Sequence, residues 1–174
     1  MIMDVPLIYL KGKKAYTRRL GTLKPMGSAI KIAKRLKERL GTELVHIVDL
    51  DALKGKKTNY DVYDHLTFTM YVQVEVQPDP KLIKPLLDID ARVVIELPAK
   101  KLDLKQFEDK KRLIVGKITP RFRGSLDEVY DVYLDGESPS KLQELLRKKK
   151  RVFVNRDQNK KSDKVFGRIG PPEL

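Results

Sequence analysis

Asp49 and Asp51 stand at the end of an apolar run, separated only by Leu50. Two carboxylates at a strand end can hold a hydroxylated substrate or a metal ion. They can equally cap the loop that follows by accepting its backbone N–H groups. Lys11-Gly12, with Lys13 and Lys14 behind it, joins cations to a residue that lets backbone approach an anion. The same stretch also reads as a solvated turn. Gly167-Arg168 offers the guanidinium fork that matches phosphate oxygens. The candidate ligand set is therefore Lys11, Gly12, Asp49, Asp51, Gly167 and Arg168. His46 lies inside an apolar strand and reads as a core residue, while His65 follows Asp64 in a polar stretch and reads as solvent-facing. With no Cys and only these two His, thiol nucleophiles, disulfides and Cys- or His-rich metal sites are excluded. Neither a cofactor nor a metal is expected.

Those side chains must be positioned by a scaffold of 174 residues, the length of one domain, assigned as 1–174. The 41% of hydrophobic residues suffices for a core, which excludes wholesale disorder. No run approaches the ~18 apolar residues of a membrane span, so the expectation is a soluble, cytoplasmic protein without a membrane partner. Short apolar runs recur at Leu7–Leu10, Leu44–Val48, Tyr71–Val76, Val93–Ile95, Leu113–Val115, Val129–Leu134 and Val152–Val154, with a weaker one at Lys164–Phe166. Several are continuously apolar, as parallel strands covered on both faces require. Helical patterns fall between them at Ser28–Leu40, Asn59–Leu66, Asp79–Leu87, Leu102–Phe107 and Ser140–Lys150, with Gly41 placed to end the first. Strand–helix alternation predicts an α/β fold. Eight strands in so short a chain fit a compact, degenerate (β/α)8 TIM barrel with several helices reduced to loops. The segment between Val115 and Val129, which lacks a helical pattern, marks one such loop.

Glu43-Leu-Val-His-Ile-Val-Asp-Leu-Asp-Ala-Leu-Lys-Gly55 followed by Asn59 resembles the second βα unit of the HisA-like family, archaeal proteins related to the ProFAR isomerase. Leu7-Ile8-Tyr9-Leu10-Lys11-Gly12 is similar to that family's opening strand and turn. The likeness spans about residues 5–97. It implies an isomerase barrel with one carboxyl group on strand one and another on strand five, acting as acid and base. Here Tyr9 occupies the first position, and no Asp or Glu occurs from Lys110 to Arg123. The turn after strand three, Glu75-Val76-Gln77-Pro78, lacks the glycines that the resemblance implies for phosphate. Asp135-Gly136-Glu137-Ser138 and Phe166-Gly167-Arg168 resemble late loops of the family, the second ending strand eight beside a phosphate. On that resemblance Lys11-Gly12 and Gly167-Arg168 share one rim of the closed barrel. The expectation is a barrel without isomerase activity and without assigned catalytic residues, binding a phosphorylated small molecule.

Charge supports a second class of partner. The chain has 37 Lys and Arg against 24 Asp and Glu, a net charge of +13. Such a balance attracts phosphate polymers, so a basic nucleic-acid-associated protein is the alternative. The basic runs are dispersed and no RNA-binding signature is present, so a solvated surface explains them equally well. The oligomeric state is not legible.

Overall fold

The computed structural model describes residues 2–160 and 162–174. Eight strands run parallel and close on themselves: β1 (Met3–Lys11), β4 (Leu44–Asp49), β5 (Tyr71–Glu75), β6 (Arg92–Glu96), β7 (Ile114–Ile118), β8 (Asp131–Leu134), β9 (Arg151–Asn155) and β10 (Gly167–Gly170). Pairing of β10 with β1 seals the ring, with Met3 opposite Gly167 and Pro6 opposite Gly170. The closed α/β barrel expected from the apolar runs is therefore present. Two further strands, β2 (Lys14–Arg19) and β3 (Thr22–Ser28), form an antiparallel ribbon on the upper half of β1, outside the ring.

Continuous apolarity has a direct cause: each ring strand buries both faces. All six residues of β4 are buried. Its outward residues Val45 and Ile47 pack under the helices, while Leu44 points into a separate inner core. That inner core holds Val5, Leu44, Val94, Val115, Tyr133, Phe153 and Ile169. Among the described residues four α-helices cover the outside: α1 (Ala29–Leu40), α2 (Tyr60–Leu66), α3 (Pro80–Asp88) and α4 (Pro139–Arg147). In α1, Ile32, Ala33 and Leu36 are buried, and Gly41 ends the helix with a left-handed φ of 64°. Asp79 and Ser138 cap α3 and α4, each followed by a proline at the first helical position. The connection between β7 and β8 carries no helix, as its sequence implies.

Three sequence expectations are corrected. The last strand is Gly167–Gly170, not Lys164–Phe166, because the ladder to β9 and β1 starts at Gly167. Of Leu102–Phe107, only Leu104–Phe107 is helical, as the start of a kinked 3₁₀ segment running from Leu104 to Leu113. The β2–β3 ribbon was not expected at all, since it carries no apolar run and includes Pro25.

Gly167 has a packing role. A Cβ there would lie 2.9 Å from the Phe153 ring and 3.2 Å from a Val5 methyl, both in the inner core. Gly167→Ala is therefore expected to destabilise the protein by about 1–3 kcal/mol through overpacking, read as a lowered denaturant midpoint.

Candidate functional site at the barrel mouth

Side chains alternate along each strand, so the register identifies every residue that faces the barrel axis. Tyr9 stands opposite Val48 and Val48 opposite Glu75; Glu96 stands opposite Lys117 and Lys117 opposite Tyr133. Tyr9, Glu75, Lys117, Tyr133 and Asn155 thus meet at the carboxyl end of the strands, where barrels of this kind present their ligand sites.

These groups are joined by an ordered hydrogen-bond chain. Arg92 Nε, which can only donate, lies 3.2 Å from Gln73 Oε1. That contact orients the Gln73 amide so that its Nε2 donates to His46 Nδ1 at 2.8 Å. With Nδ1 accepting, His46 carries its proton on Nε2 and donates to Glu75 Oε2 at 2.6 Å. The other Glu75 oxygen accepts from the Lys117 ammonium at 2.8 Å. At the opposite end, Arg92 and Arg151 both bind Asp131, Arg151 through contacts of 2.7 and 2.8 Å. Charged and polar groups therefore thread the lumen from one opening to the other.

Electrostatics follow from this chain. Burial on its own would raise the Glu75 carboxyl, but the hydrogen bonds from His46 and Lys117 and the charge of the Lys117 ammonium outweigh it and hold the group at about 2. Burial alone would lower Lys117, yet Glu75 raises it, so the ammonium stays charged and cannot serve as an amine nucleophile at neutral pH. Tyr133 is pushed up by burial and then by the Asp135 and Glu75 charges, so its phenol stays protonated. Lys117 also lies 5.6 Å from the Tyr133 ring centre. Asn155 Oδ1 accepts from the Gly136 N–H, which aims its amide nitrogen at the Tyr133 hydroxyl, 2.8 Å away, and at Asp135, 3.1 Å away. Asp135 is more exposed than Glu75 or Lys117, its side chain 42% accessible.

Asp49 and Asp51 end up as loop caps. Asp49 is fully buried and accepts from the N–H groups of Asp51 and Ala52, from Asn59 and from the Tyr63 hydroxyl. Burial raises its carboxyl, and the bonds from Ala52, Tyr63 and Asn59 only partly offset that rise. Asp51 Oδ2 accepts from the Gly12 N–H at 2.9 Å and from Asn59. The Gly12 amide thus points to Asp51. Lys11 stays exposed on the rim.

Gly167 and Arg168 do not join them. Gly167 pairs with Met3, at the far end of β1 from Lys11, so it opens the last strand rather than ending it. The Arg168 guanidinium binds the carbonyls of Lys160 and Ser162. The shared rim expected for Lys11-Gly12 and Gly167-Arg168 is corrected by this register: the two turns do not meet.

His46 is a satisfied buried residue, as its sequence setting implies, though its partners are polar. His46, Glu75, Lys117, Tyr133 and Asn155 were missed as a group. The available signal was their shared parity with inward apolar neighbours, such as His46 between Leu44 and Val48. A cleft of about 550 Å³ between α4 and the Asp157–Lys160 segment gathers none of these groups. No helix among the described residues is long and apolar enough to cross a membrane. No family model matches the chain, and neither does any curated protein.

Since the Glu75 carboxyl falls from an ordinary 4.5 to about 2 on folding, it adds stability above pH 4.5 that is lost as pH drops toward 2. Glu75→Gln is expected to lower stability at neutral pH and to flatten the acid limb of the stability–pH curve in that window, measured by urea denaturation.

Proposed function

We propose that the chain is an eroded (β/α)8 barrel of the HisA-like kind that binds a small phosphorylated sugar or nucleotide at its mouth without isomerising it. One observation carries this reading: a floor of hydroxyl-binding groups lies beneath a cationic wall. Asn155, Asp135 and Lys117 form the floor. Tyr9 and Tyr16 are paired across β1 and β2, as are Lys11 and Lys14. These four therefore project from one face of the wall that continues the lumen upward. Sugar hydroxyls suit carboxylate and amide partners, and a phosphate suits the exposed Lys11 and Lys14 above them.

Loss of isomerase chemistry is supported by the inward positions themselves. Tyr9 takes the strand-one position, and the lumen side of β7 presents Val115 and Lys117 rather than a carboxylate. Glu75 accepts on both of its oxygens and holds no proton to give, so it does not stand in for the missing acid.

Titration calorimetry with ribose 5-phosphate and ribose tests the proposal. The phosphorylated sugar is expected to bind, and Asn155→Ala or Lys14→Ala to weaken it about tenfold, a loss of ~1.4 kcal/mol. Equal affinity for ribose, or no effect of either substitution, would contradict the reading. Aminoaldose phosphates are expected to be left unconverted; turnover above that of Tyr9→Phe would restore the isomerase.

A further inference from the structure

Between Asp4 and Glu38 the chain contains ten Lys and Arg and no Asp or Glu. The fold concentrates much of this charge on two adjoining elements, the β2–β3 ribbon and α1. The barrel closes without the ribbon, because β10 and β4 flank β1 on either side. Ala15 and Thr17 are the only ribbon residues that become buried. From Arg18 to Lys24 every residue is exposed except half-buried Leu23, and Leu20 at the tip is fully solvent-accessible.

Cations occupy both faces of this ribbon. Lys14 and Arg18 share the face of Tyr16; Lys24 pairs with Thr17 and shares the opposite face with Arg19. Beside it, α1 turns Lys31, Lys34 and Arg35 outward. A protruding two-stranded ribbon, positive on both faces, complements a channel bounded by two rows of phosphates. The major groove of B-form DNA, about 12 Å wide, admits such a ribbon, whereas the narrow major groove of A-form RNA does not. Single-strand binding calls for open aromatic platforms. At the ribbon the Arg18 guanidinium covers the Tyr9 ring at 4.9 Å and Tyr16 is half-buried, while Phe122 of the Arg121-Phe122-Arg123 run packs against the outer core. The open rings of Phe68, Tyr71 and Tyr130 lie on neither the ribbon nor α1.

We propose that the β2–β3 ribbon inserts into the major groove of double-stranded DNA while α1 lies along the flanking phosphates. Phosphate contacts dominate such binding, so affinity falls with salt and depends little on sequence.

Fluorescence anisotropy with a labelled DNA duplex, the matching single strand and an RNA duplex, across a salt series, tests the proposal on the full chain. The DNA duplex is expected to bind tightest, with log affinity falling linearly against log salt. The variant Arg18→Ala/Arg19→Ala/Lys24→Ala removes exposed side chains and leaves the ring intact. It is expected to lose about tenfold or more in duplex affinity and to reduce the salt slope by about 3. A charge-matched control, Lys100→Ala/Lys101→Ala/Lys105→Ala, is expected to stay within about twofold. Equal binding of single strand or RNA duplex would overturn the proposal. So would equal losses in the two variants, or no duplex binding at low salt.

Discussion

Glu75 is the hinge of the structure. A carboxylate buried in a barrel lumen is costly unless its oxygens find donors and a counter-charge, and here His46 and Lys117, from two other strands, supply one donor to each oxygen. The requirement propagates. Lys117 has only donors at one end and Arg92 has only donors at the other, so Gln73 and His46 must orient one way between them. Asp131 then bridges Arg92 and Arg151 at the opposite opening. The lumen is filled by this chain as much as by Phe153 and Tyr133.

That filling has consequences for chemistry. A general base must take up a proton near neutral pH, and Glu75, held at about 2, does not. A nucleophilic amine needs to shed its proton, and Glu75 prevents Lys117 from doing so. The interior is thus a fixed electrostatic floor beneath the rim and the ribbon that rises from β1. Short β10 stops opposite Pro6, and the ribbon takes over the same edge of β1 from Tyr9 onward.

The sequence made the ring legible because burial on both faces leaves continuous apolar runs such as Leu44–Val48 and Val93–Ile95. It concealed β10, where two glycines and Arg168 leave Ile169 as the only apolar residue of the strand. It concealed the ribbon for the opposite reason, since strands exposed to solvent need no apolar pattern. Asp49, Asp51 and Asn59 were conspicuous because they build a tightly bonded loop, and that bonding consumes most of their hydrogen-bonding capacity. The mouth residues stayed obscure, being single polar residues scattered over separate strands, and only the ring brings Glu75 to Lys117.

The tautomer of His46 tests this account most directly, because it depends on the orientation of the whole chain from Arg92 to Lys117. Two-dimensional ¹⁵N–¹H NMR of the imidazole nitrogens at neutral pH distinguishes a protonated from a bare nitrogen. The ordered chain requires a protonated Nε2 and a bare Nδ1. A proton on Nδ1 would set two donors face to face at Gln73 and would contradict it.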